Sequence, residues 1–428
     1  MTSSLLASSR RAAATLRCFI RPSSSTSTAE PSSSSNDGHQ DGASTSSSSP
    51  GASSKHKPSS RQPENRRAPQ KLVEAATRPR PFKYTDALVR YLRESMILHE
   101  PGRFVILQKP YGVSCLGFKQ KDGGVFKGSV HNAVDQDEDA AAAEEGVDSG
   151  EERRRASLDA MVTIADAIPQ LSQLLKEPQL GFATGIKRYA SGPLILPCSK
   201  TEYNHMVECL KRGTATDDVF VYSALAICVG KPREREGTLS GYATFAPVAK
   251  HKEYVFVEGV ADKRQRTGKY AVQGELAWRT LATGHDCSLV HFQCSKFARH
   301  LPRLALAHID APILGDAMYL KRVFDVDGAP VRMEPAKAAR NTGKKYTPAG
   351  LTRLSGLGPE ELGRLPLYLH VWQTVLPRYG SPRRREDRAD LVASAPPPSH
   401  FESMVELLGF SRALHKFWRE EQAADAEE

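Results

Sequence analysis

The sequence predicts an α+β protein. Segments with helical spacing and segments with strand character mix along the chain without a regular βαβ beat. No internal repeat is visible. The 428 residues, 39% of them hydrophobic, are enough for a sizeable core in one large domain or two ordinary ones. No run approaches about 18 consecutive apolar residues, so no membrane-spanning helix is expected.

Order is expected to begin near Lys83. Asp86 to Leu98 places Leu88, Val89, Leu92 and Met96 at helical spacing. Phe104 to Gln108, with β-branched Val105 and Ile106, reads as a strand running into the Lys109-Pro110-Tyr111-Gly112 turn. Residues 119–155 are Gly-, Ala- and acid-rich and read as a solvated, disordered insertion. Ile164 to Lys176 is a second amphipathic helix with Pro169 near its start, and Pro193 to Cys198 is a strand. Ser199 and Glu202 have capping-box spacing, so a helix is expected from there to about Arg212. Val219 to Val229 and Ser288 to Gln293 read as strands. Pro302 opens a helix, as proline at the first helical position should. Leu367 to Trp372 is a further strand. Residues 380–400 read as an Arg/Pro-rich linker, and Phe401 to Glu421 as a closing helix.

The first 60 residues include 21 serines, too polar a composition for a core, so residues 1–80 are expected to be a disordered tail. Residues 1–29 carry Arg10, Arg11, Arg17 and Arg21 and no acidic side chain. An acid-free, Arg- and Ser-rich start is the mark of an organellar transit peptide. A mitochondrial address is expected, with a chloroplast as the alternative.

Charge is uneven. The chain carries +10 overall. Residues 1–80 hold +7 and residues 135–152 hold −9, which leaves +12 on the remainder. A basic body fits a polyanionic partner such as RNA. The seven cysteines form no C-x-x-C pair, which argues against a disulfide scaffold or a standard zinc module. No metal site is expected, since the histidines show no ligand spacing. No Gly-rich phosphate loop or dinucleotide fingerprint is present, and no cofactor is expected.

Four segments, in order, resemble the RluA-type RNA pseudouridine synthase family. Phe104 to Gly112 is similar to the family's strand followed by N-K-P-x-G. Gly185-Ile186-Lys187-Arg188-Tyr189-Ala190-Ser191-Gly192-Pro193-Leu194 is similar to its R-L-D-x-x-T-S-G-L-L loop. Tyr222-Ser223-Ala224-Leu225 is similar to its K-x-Y-x-A-L strand. Arg299-His300-Leu301-Pro302-Arg303 and then Pro312-Ile313-Leu314-Gly315-Asp316-Ala317-Met318-Tyr319 are similar to T-G-R-x-H-Q-I-R and P-I-x-G-D-x-x-Y. Leu369-His370-Val371 is a fainter fifth match. The resemblance covers roughly residues 100–377 and is most specific at Pro312 to Tyr319. It implies a pseudouridine synthase-like domain over 81–378, with 379–428 as linker and terminal helix. The implied fold is a mixed, largely antiparallel sheet with flanking helices and a central basic cleft. The implied activity is isomerisation of uridine to pseudouridine in organellar RNA, whether rRNA, mRNA or tRNA.

The departures from the family pattern bear on chemistry. Aligned on Ser191-Gly192, the family's nucleophilic aspartate falls at Lys187 and its base-flipping arginine at Gly185. The arginine expected against that aspartate falls at Ala298, with Arg299 one position off. A lysine amine has the wrong charge beside an oxocarbenium-like centre. Tyr222 keeps the family's tyrosine, which suits stacking on a flipped base, although a strand tyrosine can equally be core. Lys109, Arg188, His300 and Arg303 are candidate RNA contacts, each weighed against an ordinary surface charge or, for His300, a helix-start role. Asp316 reads as a turn-former that caps local amides rather than an acid catalyst. The basic run Lys263 to Tyr270 suits single-strand binding or a solvated hairpin tip alike. Two functions are therefore expected to compete. One is an RNA isomerase that uses another group. The other is a non-catalytic RNA-binding factor in RNA maturation or ribosome assembly.

Overall fold

The computed structural model describes residues 16–18, 67–116, 162–215, 220–248, 251–263, 271–380 and 389–426. The acidic insertion and nearly all of the transit-like start lie outside the described residues, as do residues 264–270 of the basic run.

In chain order, Leu16–Cys18 (β1), Gln70–Thr77 (α1) and Thr85–Glu94 (α2) come first, followed by Met96–Glu100 (β2) and Phe104–Lys109 (β3). Ile164–Leu175 (α3), Gly192–Pro197 (β4), Lys200–Ala215 (α4) and Tyr222–Val229 (β5) follow. Next come the long strands Glu236–Val248 (β6), His251–Glu258 (β7) and Val272–Gly284 (β8), with Cys287–Cys294 (β9) and Leu301–His308 (α5). Ala317–Leu320 (α6), Val323–Val326 (β10), Ala329–Arg332 (β11), Leu369–Leu376 (β12) and Leu391–Ser394 (β13) lead to the closing helices Ser399–Leu407 (α7) and Ser411–Ala426 (α8).

Eight strands form one sheet in the order β1-β13-β12-β5-β9-β8-β6-β7, antiparallel throughout except for the β1–β13 pair. Strand β3 centres a second, three-stranded antiparallel sheet between β2 and β4. The chain thus has the α+β, largely antiparallel architecture expected of it. None of its described helices is long and apolar enough to cross a membrane.

Strand β5 shows why the sheet sits where it does. Every residue from Tyr222 to Val229 is buried, and the period of two sends alternate side chains to opposite faces. Tyr222, Ala224, Ala226 and Cys228 join the core beneath α5. Leu225, Ile227 and Val229 join the core formed with α1, α7 and α8. Helix α3 starts at a capping box in which Asp166 N donates to Thr163 Oγ1 and Asp166 Oδ2 accepts from Thr163 N. Helix α4 starts as its Ser199 spacing predicts, with Glu202 N donating to Ser199 Oγ at 3.1 Å.

Four expectations need correction. The ordered body begins at Arg67, not near Lys83: α1 buries Val73 and Ala76, and the Ala76 carbonyl accepts the Tyr368 hydroxyl at 2.8 Å. The helix expected to reach Leu98 ends at Glu94, and Met96 and Leu98 pair with β3 instead. The linker expected over 380–400 contains β13, whose Leu391 and Ala393 are fully buried. The terminal helix is two helices, broken at Gly409 with φ of +73°. A φ in this range favours glycine and stops the first helix.

Candidate active site

The two sheets join at the segment that holds Lys187. Val371 N of β12 donates to Ser191 O at 2.8 Å, and Ser191 bridges His370 in parallel. His370 Nε2 donates to the Ala395 carbonyl at 3.0 Å, which leaves Nδ1 to accept the Ser191 hydroxyl at 2.9 Å. Burial pushes the His370 pKa down to about 4, so this latch is made by a neutral ring. Gly192 follows with φ of +151°, and a Cβ there would lie 2.2 Å from Val371 O. The Ser-Gly pair of the motif is thus explained by a close crossing of β4 and β12.

The turn before it is tied down by backbone and by a buried amine. Ala190 N donates to Lys187 O at 2.9 Å, and Gly112 N donates to Arg188 O at 2.9 Å. Lys109 is fully buried, and its Nζ donates to Pro110 O at 3.1 Å and Ala190 O at 2.8 Å. The Lys-Pro-Tyr-Gly motif therefore fixes the Lys187 turn from below. Lys109 is not placed to meet RNA phosphate, and the contact expected of it is corrected: its carbonyl partners draw the ammonium inward. Lys187 and Arg188 are half-buried at the turn itself.

Tyr222 begins β5, and its ring meets Phe297 edge-on at 5.5 Å. It is 8% exposed, and burial raises its hydroxyl pKa. Phe297 and Ala298 stand where the family has T-G-R. Arg299 and His300 both have left-handed backbone, with φ of +49° and +57°, as the chain turns into α5. His300 is buried and its Nδ1 shares a hydrogen with the Tyr319 hydroxyl at 2.9 Å. It packs edge-on against Tyr189 at 5.8 Å. His300 is the N-cap residue of α5, so the helix-start reading holds and the RNA contact expected of it is corrected. The guanidinium of Arg299 lies 6.0 Å from the Phe245 ring of β6.

Arg303 is also internal. Its Nε and Nη2 reach both carboxylate oxygens of Asp316 at 2.8 Å each. The pair is buried, with side-chain exposures of 5% and 0%. The Arg303 guanidinium lies over Tyr189 at 4.5 Å and Tyr319 at 5.1 Å. Burial works against its charge, but Asp316 and the two tyrosines outweigh it and hold the guanidinium pKa above its usual value. The phosphate contact expected of Arg303 is corrected: the side chain is committed to Asp316. Asp316 does cap local amides as expected, accepting from Met318 N and Tyr319 N at 3.1 Å each.

The structure thus brings Lys187, Arg188 and the edge of Tyr189 to the same region as Tyr111 and Arg303. Tyr111 O accepts from Leu367 N at 3.0 Å. Burial raises the Tyr111 pKa against the pull of the Leu367 amide, Arg188 and Arg303. Tyr111, Tyr189, Phe297 and Tyr319 were quoted only as motif letters. Their shared signal is an aromatic inside each motif segment, which fits a site that stacks a base.

No family model matches the chain. It is 27% identical to the mouse mitochondrial mRNA pseudouridine synthase Rpusd3 over 265 residues, covering 59% of this chain and 71% of that protein. It is 28% identical to the human protein of that name over 266 residues, covering 58% and 68%. The solved structure of human RNA pseudouridylate synthase domain containing 4 aligns with 76% of this chain and 96% of its own, at a TM-score of 0.48 and 18% identity. The motif resemblance and the sequence similarity agree: the chain resembles the RluA-type RNA pseudouridine synthases and is similar to mitochondrial members.

Proposed function

We propose that this chain binds mitochondrial RNA at the Lys187 turn and does so without the family's aspartate chemistry. The carrying observation is the pair of groups at the site. Lys187 stands at the nucleophile's position, and Asp316, a neighbouring carboxylate, is locked on both oxygens by Arg303 and by backbone amides. A carboxylate so engaged cannot attack a uridine. The aromatic lining supports base stacking, and the half-buried Lys187 and Arg188 support phosphate or base contacts. The curated relatives named above act on mitochondrial mRNA by their names, which makes mRNA the first RNA to test, ahead of rRNA and tRNA. The transit-like start supports a mitochondrial address. A second reading, isomerisation by a different group, is favoured by those same names.

The binding claim is tested by titrating uridine-rich single-stranded RNA. Affinity should fall by orders of magnitude between about 50 and 200 mM salt if several phosphates are contacted. A flat salt response overturns it. A fusion of residues 1–60 to a fluorescent protein tests the address: purely cytosolic fluorescence contradicts it.

A further inference from the structure

A second basic site lies on the far side of the main sheet's central strand. Strand β5 starts at Tyr222 and ends at Val229. At about 3.3 Å per residue, Lys231 begins roughly 25–30 Å along the strand from Tyr222. There, residues 231–235 and the Thr280–Thr283 stretch of β8 enclose a cleft of about 350 Å³. Thr280 is 7% exposed, and its hydroxyl has no protein partner among the described residues.

The sequence there is Gly230-Lys231-Pro232-Arg233-Glu234-Arg235-Glu236. Cations and acids alternate, and an extended chain sends alternate side chains to opposite sides. Lys231, Arg233 and Arg235 line the cleft, and Glu234 and Glu236 do not. Pro232 is buried and anchors the segment, and Thr280 N donates to Arg235 O at 2.7 Å. Arg233 is engaged by Asp310 at 2.6 Å. No described carboxylate pairs with Lys231 or Arg235. The alternation thus builds a concave, cationic, hydroxyl-lined surface from a segment whose net charge is only +1.

We propose that this cleft is a second RNA contact, seating a backbone phosphate on Lys231 and Arg235 with Arg233 beside them. This inference rests on the RNA-binding reading above. The chemistry favours phosphate: guanidinium forks and an ammonium match its oxygens, and the two threonines add hydroxyl donors. An RNA that fills the Lys187 turn and continues along the sheet reaches this cleft only if it is long enough.

The test uses the full chain and two uridine-rich RNAs, one of about 8 nucleotides and one of about 30. The variant pair is Lys231→Ala with Arg235→Ala. Both side chains are exposed and neither forms an ion pair among the described residues, so the melting temperature should not move. For the long RNA, affinity should drop on the order of tenfold, and the slope of log affinity against log salt should lessen by about 1.4, or about 0.7 per lost phosphate contact. The short RNA should bind as before. Charge reversal, Lys231→Glu with Arg235→Glu, should deepen the loss for the long RNA alone. An unchanged long-RNA slope overturns the proposal, as does an equal loss for both lengths. Competition for the cleft by an acidic peptide, with RNA having no effect there, overturns it in favour of a protein partner. If the unaltered chain binds neither RNA, the RNA-binding reading itself fails, and that outcome is distinct from the others.

Discussion

Arg303 and Asp316, thirteen residues apart, form a two-pronged ion pair inside the protein, with both contacts at 2.8 Å. The pair fixes α5 to the turn that opens α6. Breaking one half leaves a buried charge, so Arg303→Ala should cost about 3–5 kcal/mol of stability. Combining it with Asp316→Asn should cost less than the single change, since no net charge is then stranded. Denaturant unfolding of the two variants checks this.

The Gly192 crossing predicts a second large effect. Gly192→Ala places a Cβ 2.2 Å from Val371 O at a φ of +151°. Backbone strain alone is worth about 1–3 kcal/mol, and the clash must also part β4 from β12. The variant should lose at least about 2 kcal/mol by the same measurement, with Ala190→Gly as a mild control.

Much of this was legible in the sequence, and the misses share a cause. The motif segments each end or begin a strand, and the structure does gather them around one turn. Lys109 and Arg303 were misjudged because a sequence shows a formal charge but not its partner: two carbonyls enclose the first and Asp316 the second. The helix Gln70–Thr77 was hidden by the Ser- and Pro-rich composition around it, although Leu72, Val73 and Ala76 lie on one helical face. The long strands β6 and β8 were not expected. Gly237, Gly241, Pro247 and Gly274 dilute their alternation, and half of their positions face solvent or lie at the surface.

That helix gives a prediction of its own. A chain that starts at Arg67 keeps Val73, Ala76 and the Tyr368–Ala76 bond, while one that starts at Pro81 exposes the faces of α7 they cover. The shorter chain should melt several degrees lower, as about 1 kcal/mol or more of burial is lost. Equal melting temperatures would contradict the packing.

Stability should also depend on pH in a defined window. Burial lowers the pKa of His370 and His400 to about 4 and of His291 to about 3. Unfolded histidine titrates near about 6.5, so below that pH the unfolded chain takes up protons that the folded chain refuses. Unfolding free energy is therefore full above about pH 6.5 and falls towards pH 4, by up to about 1.4 kcal/mol per pH unit for each histidine. Glu253, held at about 2 by Lys321 and Arg322 despite its burial, adds to the loss only below about pH 4.5. Unfolding curves at pH 7 and pH 5 test the sign. His370→Gln should flatten part of the slope.

Chemistry at the Lys187 turn should not be restored by one substitution. Lys187→Asp would place a carboxylate beside Ala298, with no arginine at 185, and with Arg303 already held by Asp316. Partial burial would raise its pKa. Activity is expected only from Gly185→Arg, Lys187→Asp and Ala298→Arg together, if at all, and activity from Lys187→Asp alone would contradict the account of the site.

The most direct test of the account is tritium release from C5-labelled uridine in mitochondrial RNA, with the unaltered protein and with Lys187→Ala. The account predicts binding of the RNA and no release above background from either protein. Release at an ordinary enzymatic rate by the unaltered protein, abolished by Lys187→Ala, would contradict it and establish an amine at the centre of the reaction.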